Sequence, residues 1–241
     1  MLDDLLDARD DLEELLDQAL PALDARPTAE GAEILAVLLT APHRRTGPDA
    51  RLRRLVVRRL EQRASPAAAA VLAAVAVLAD SDTARRAGEA LDRLAQAGVT
   101  AAIAGIGETA LGEGWRAERA PAEGLAVRVQ RAGESGERLL KLWLEPGEPG
   151  QRGVLAGGWT DPLEPKRLDK DRVRFLRLAG TGEAEPLERA QAIAALDALV
   201  RRAGELDLAL SEGVALVLAQ LRRAVGGADW PDFDVVAEPP R

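Results

Sequence analysis

The sequence contains no cysteine and a single histidine, His43. Zinc clusters, iron–sulfur centres, thiol nucleophiles and redox disulfides are excluded by that inventory, and only a metal held by carboxylates, such as magnesium or calcium, stays chemically open. Long apolar runs are also missing. The longest, Ala67 to Ala79, has 13 residues, below the roughly 18 that suggest a spanning helix, so it reads as a buried core helix and no membrane association is expected. The first residues, Met1-Leu2-Asp3-Asp4, lack the basic and apolar regions of an export signal, which makes the cytoplasm the expected compartment. Lysine is scarce: only Lys141, Lys166 and Lys170 against 29 arginines, which with the abundance of alanine points to a GC-rich bacterial genome. Aromatic residues are absent from the first 114 positions; Trp115, Trp143, Trp159, Phe175, Trp230 and Phe233 all follow. That break divides the chain into two unlike halves, expected at 1–112 and 113–241.

At 241 residues the chain is long enough to bury a core without staples, and its net charge of −8 argues against a generic nucleic-acid coat. The first half carries an Ala/Leu/Val helical pattern punctuated by caps. Helix one spans about Leu2 to Ala22, with Leu5, Leu12, Leu16 and Leu20 on one face and Asp3, Asp7, Asp10, Glu14 and Asp17 on the other. Further helices start near Thr28, near Asp49, at the Ser65-Pro66 cap and near Ser81, the last stopping at Gly98. Thr100 to Leu111 reads as a weaker sixth, interrupted by Gly105 and Gly107. Two such helices take about the length of one helical-repeat unit. The segment from Asp80 through Ala87, Leu91 and Leu94 resembles a helix of a HEAT-type repeat, a likeness that extends over about residues 66–112. The resemblance implies a scaffold for binding other macromolecules and no particular activity.

From Trp115 the period becomes two. Leu125, Val127 and Val129 mark one strand, Leu139 to Leu144 its antiparallel return, and Val154 to Trp159 a third, with another expected around Val173 to Leu178. In the middle strand Leu140, Leu142 and Leu144 point one way and Leu139 and Trp143 the other, so both faces want cover. Helices at Pro186 to Ala203 and Ser211 to Val225, each with arginines in the last turn and glycine beyond, can supply it. The expected fold is therefore α+β: an all-helical, repeat-like N-terminal array, then a small antiparallel sheet packed with two C-terminal helices.

The most chemically marked stretch is His43 to Arg63, with eight arginines against Asp49 and Glu61. On its helix Leu52, Leu55, Val56 and Leu60 form the apolar arc, Arg51, Arg54 and Arg58 cluster opposite, and Arg53 flanks them. Such a stripe can clamp phosphates of nucleic acid or of a ligand, or select an acidic protein. No aromatic residue lies near it for base stacking, and residues 1–17 supply eight acids and one arginine of their own. Whether the two stripes meet is a question for the distances between Asp7 or Asp11 and Arg54 or Arg58. Trp115, Trp143 and Trp159 are candidate walls of an aromatic pocket or anchors for a partner, although tryptophans in a small sheet are more often core.

Gly105-Ile106-Gly107-Glu108-Thr109-Ala110 matches G-x-G-x-x-A, but the hairpin spacing that follows is wrong for a dinucleotide fold. No Gly-x-Ser-x-Gly elbow accompanies His43, and Ser65, Ser81 and Ser211 are explained as helix caps. Asp161, Glu164, Asp169 and Asp171 are interleaved with Lys166, Arg167, Lys170 and Arg172, which fits a solvated charged loop better than a metal site. No catalytic residue, metal ligand or cofactor is assigned. The expected function is that of a non-enzymatic cytosolic interaction or regulatory protein, adaptor-like, with a protein partner or a second copy of itself. The alternatives are nucleic-acid or phosphate-ligand binding through the arginine-rich helix 49–63, and a carboxylate-metal enzyme near 161–171.

Overall fold

The computed structural model describes residues 2–40, 49–101, 103, 105–119, 122–147, 153–179, 184–222, 224–225 and 230–236, without the side chains of 2–11, 118, 119, 179 and 212. They form two compact units that divide between Gly107 and Glu108, and each is described by itself. The class is α+β, and no described helix is long and apolar enough to cross a membrane.

The first unit is helical: α1 (Leu2–Ala25), α2 (Ala29–Thr40), α3 (Ala50–Arg63), α4 (Pro66–Leu78) and α5 (Ser81–Gln96). Its centre is α4, the Ala/Val/Leu run, which is apolar all round and packs against the other four helices. Small side chains at Ala67–Ala70 and Ala74 are fully enclosed, which lets neighbouring backbones come close. The start of α4 is capped twice. Ser65 Oγ accepts from the Ala68 amide at 3.1 Å, and Asp24 of α1 accepts from the Ala67 amide at 2.8 Å. Asp49 caps α3 through the Arg51 and Leu52 amides, which holds its carboxyl below the usual range. Asp80, one residue before Ser81, caps α5.

The sixth helix expected over Thr100 to Leu111 does not form. Gly105 and Gly107 adopt left-handed φ values of 79° and 70°, which breaks any helical path. The turn is tied down by Glu33 of α2, fully buried, whose carboxylate accepts from the Gly107 amide at 2.7 Å. The glycine motif is thus a structural turn.

The second unit holds β1 (Thr109–Arg119), β2 (Ala122–Arg131), β3 (Arg138–Glu145), β4 (Val154–Trp159), α6 (Pro165–Ala179), β5 (Glu185–Leu187), α7 (Arg189–Glu205), β6 (Ala209–Ser211), α8 (Glu212–Leu221) and β7 (Val235–Val236). The expected meander is present as β2, β3 and β4, extended by β1. The sheet is larger than expected and mixed: seven strands in the order β5-β1-β2-β3-β4-β6-β7, with β6 parallel to β4 and β7 parallel to β6.

Each face of β3 does find cover, from three helices in place of two. Leu140, Leu142 and Leu144 join Leu125, Val127 and Leu155 under α7 and α8, through Leu196, Val200, Val214 and Leu218. On the other face Leu139, Ala126 and Trp115 pack against Leu168 and Leu176 of α6. The segment Val173 to Leu178, expected as a strand, belongs to α6: Leu168, Phe175 and Leu176 lie at helical spacing on the side that meets the sheet. Pro186 sits in β5, and α7 starts after a reciprocal cap between Glu188 and Gln191. The segment around Trp230 and Phe233 folds back into the α7/α8 core, with Trp230 Nε1 donating to Asp197 at 2.8 Å and the Leu210 amide donating to the Asp234 carbonyl.

Candidate functional site

A 14-residue helix with six arginines must place several of them against its own unit, because the apolar arc alone does not fill the flanks. On α3 the division is sharp. Arg59 pairs with Glu13 of α1 at 2.7 Å, and Arg63 with Glu13 at 2.7 Å and Asp17 at 2.5 Å. Donating hydrogen bonds to Glu13 and Asp17 pushes the Arg63 guanidinium pKa further up. The acidic helix and the arginine helix therefore do meet inside one subunit, but at the C-terminal end of α3. The same end carries Glu61, whose carboxyl is held low chiefly by two N–H bonds from Arg93 of α5, at 2.5 and 3.1 Å. Arg53 is half-buried and reaches Asp80, the α5 cap, at 3.4 Å.

Arg51, Arg54 and Arg58 are different. All three are exposed, and none forms an ion pair with a described residue. Positions 51, 54 and 58 share one face of α3, so their Cα atoms span about 10 Å along the axis. Of the four arginines expected in the stripe, Arg53 leaves it for a structural contact. His43, Arg44 and Arg45, and the side chains of Asp7 and Asp11, lie outside the described residues.

Trp143 and Trp159 do not form one pocket. Trp143, on β3, belongs to the face under α6, whereas Trp159, on β4, packs on the opposite face of the sheet. Arg131 and Arg138 lie over the Trp159 ring, 5.0 and 5.5 Å from its centroid, and Arg138 is held by Glu134 through two bonds of 2.7 and 2.9 Å. On the other face Trp115 is flanked by Arg172 at 4.2 Å and Arg128 at 5.5 Å. Trp115 and Trp159 are platforms for the unit's own cations, and Trp143 packs against the core under α6.

Of the four carboxylates at 161–171, Asp161 and Glu164 are exposed, and Asp169 and Asp171 are engaged by the unit's own cations. Asp169 lies 3.1 Å from Arg128 and 3.6 Å from Arg172, and Asp171 lies 3.0 Å from Lys141. Among the described residues no group of three or more acidic or histidine side chains is arranged to hold a metal. Comparison with protein families, with curated proteins and with solved structures finds no match for this chain.

One feature of this region was hidden in the sequence. Because 165–179 is a helix and not a loop or strand, Lys166, Arg167, Lys170, Arg174 and Arg177 fall on its exposed side. The signal was the spacing 167, 170, 174, 177, a run of three- and four-residue steps. Acids and prolines interleaved with it obscured the period.

Proposed function

We propose that the protein is a non-enzymatic interaction protein whose helical unit receives an acidic surface of another protein along Arg51, Arg54 and Arg58. The carrying observation is the split on α3: Arg53, Arg59 and Arg63 are engaged by acids of their own unit, while these three stay exposed without a described partner. The likeness of α4 and α5 to HEAT-type helices supports the same reading, since such arrays act as scaffolds. Protein is favoured over nucleic acid by charge and composition. Residues 1–107 hold 17 acids and 13 arginines and no aromatic side chain, so a nucleic acid backbone running beyond the stripe would meet repulsion and its bases would find no stacking platform, whereas an acidic protein surface can end where the stripe does.

The test compares wild type with R51E/R54E/R58E, titrated with an oligoglutamate peptide and with a 20-base-pair duplex, at low and moderate salt. Binding of the peptide that weakens about tenfold or more in the variant supports the assignment. Duplex binding that is tighter and falls steeply with salt would move it to nucleic acid. Absence of binding to either probe at low salt would sink both.

A further inference from the structure

The helix α6 has two chemically opposed sides. Its inner side is consumed by the fold: Leu168 and Leu176 are in the core, and Asp169, Asp171 and Arg172 serve ion pairs or the Trp115 face. Its outer side carries Lys170, Arg174 and Arg177 in one row, with Lys166 and Arg167 exposed a turn earlier. Two aliphatic side chains lie among these cations. Leu178 is 68% exposed, the most of any large apolar side chain among the described residues, and Val173 is 38% exposed. Together Lys170, Val173, Arg174, Arg177 and Leu178 line a shallow depression of about 660 Å³.

None of Lys166, Arg167, Lys170, Arg174 and Arg177 forms an ion pair with a described residue, and the acid that borders the depression, Asp169, is taken by Arg128 and Arg172. Five cations collect on one helical face although residues 108–241 hold 23 acids and 19 basic residues. The face thus combines five cations with two exposed aliphatic side chains. It suits a ligand that is itself both acidic and apolar.

We propose that the outer face of α6 docks an acidic, leucine-bearing amphipathic helix of a partner protein. The leucines would cover Val173, Leu178 and the aliphatic stems of the basic side chains, and flanking carboxylates would pair with Lys170, Arg174 and Arg177. The first unit contains this pairing already. Helix α1 buries Leu12, Leu16 and Leu20 while Glu13 and Asp17 beside them meet Arg59 and Arg63. Nucleic acid would leave Val173 and Leu178 uncovered. An anionic lipid surface would receive only two aliphatic side chains, because the rest of the helix's apolar residues are spent on the sheet. This site is in the other unit from the α3 stripe and does not depend on it.

The probe is a fluorescent 21-residue helical peptide with leucines at i, i+4 and i+8 flanked by glutamates, the pattern of Leu12, Leu16, Leu20 and their acids. Anisotropy titrations of the full chain should show saturable binding, weakened about tenfold or more by K170E/R174E/R177E and about tenfold by L178S. L178S keeps every charge, and both variants alter exposed positions, so circular dichroism should show them folded. A peptide with its leucines changed to serine should bind at least about fivefold more weakly, about 1 kcal/mol of lost apolar burial. In the R51E/R54E/R58E background, which removes the other stripe expected to attract acidic peptide, the leucine-dependent binding should persist. The proposal is overturned by no binding, by binding insensitive to either α6 variant, by equal binding of the serine peptide, or by a preference for duplex DNA or phosphatidylserine vesicles. Binding lost only in the α3 variant would overturn it while leaving the α3 assignment standing.

Discussion

Replacing Gly107 by alanine tests the turn that ends the helical unit, and its cost separates into two parts. The first is conformational. At φ 70° an alanine sits in the left-handed region, which costs an L-residue about 1–2 kcal/mol. The second is steric: the new Cβ would run into Val77 Cγ1 on α4, a side chain held by its β-branch, and overpacking of this kind costs about 1–3 kcal/mol. The sum is about 2–5 kcal/mol. Urea unfolding followed by far-ultraviolet circular dichroism would measure it. In a Val77→Ala background the steric part should vanish, leaving about 1–2 kcal/mol for the added Gly107→Ala. As a control, Gly88→Ala in α5 meets open space and should stabilise by about 0.5–1 kcal/mol. A Gly107→Ala variant within about 0.5 kcal/mol of wild type, the range of an ordinary surface change, would refute the turn geometry. So would an unrelieved cost in the Val77→Ala background.

Other perturbations follow from single contacts. Trp230→Phe keeps most of the apolar packing but removes the indole donor to Asp197; a loss of about 1–2 kcal/mol in thermal or urea unfolding is expected. Arg138→Lys cannot reproduce the two-pronged bond to Glu134 while lying over Trp159, and since Arg138 is only 3% exposed the cost should be about 1.5–3 kcal/mol by urea unfolding. Glu13→Gln should cost less than about 1 kcal/mol although two arginines meet it, because the cluster is solvent-screened; a larger loss would show it to be structurally dominant. Acid titration has a definite sign. Asp197 is held low mainly by Arg201 and then by Trp230, Glu61 by Arg93, and Asp82 by Arg86 and Arg85. Their contribution is complete above the unfolded carboxylate range near pH ~4 and is lost as pH falls through the lower folded values. The urea midpoint should therefore drop on acidification below about pH 4, and a rise would contradict these pairings.

The parts legible in the sequence are those set by local chemistry. Ser65-Pro66 placed α4 to the residue, and period two placed β2 and β3 with their inward and outward residues. The shorter strands were not legible. β5, β6 and β7 have three, three and two residues, too few to show a period, and they exist only through partners far along the chain, such as Val154 for Ala209. Val173 to Leu178 alternates over a window where strand and helix patterns coincide, and only Leu168, eight positions before Leu176, fixes the helical face. The candidate site divided along the same line. That Arg51, Arg54 and Arg58 share a face follows from helical spacing; that Arg53 and Arg59 do not join them was decided by Asp80 and Glu13, which no local pattern places beside α3.

The uneven use of aromatic side chains has a physical origin that bears on function. Four helices around an alanine-rich α4 approach closely, and Leu, Val and Ala fill that space, so the first unit needs no ring. A sheet covered by helices on both faces must also seat arginines that leave it, and Trp115 and Trp159 do this by lying under Arg172, Arg128, Arg131 and Arg138. The conspicuous residues of the second unit are thus accounted for by its own stability. The same holds for the densest acids, Asp169 and Asp171, and for the inner arginines of α3. Among the described residues two basic clusters stay without ion pairs: Arg51, Arg54 and Arg58 on α3, and Lys170, Arg174 and Arg177 on α6, the latter with two uncovered aliphatic neighbours. In a chain of net charge −8, basic residues scattered anywhere on the surface would offset the excess acid equally well, so overall charge balance does not explain their collection on single helical faces. Docking of acidic partners, as proposed above for each face, would account for that clustering.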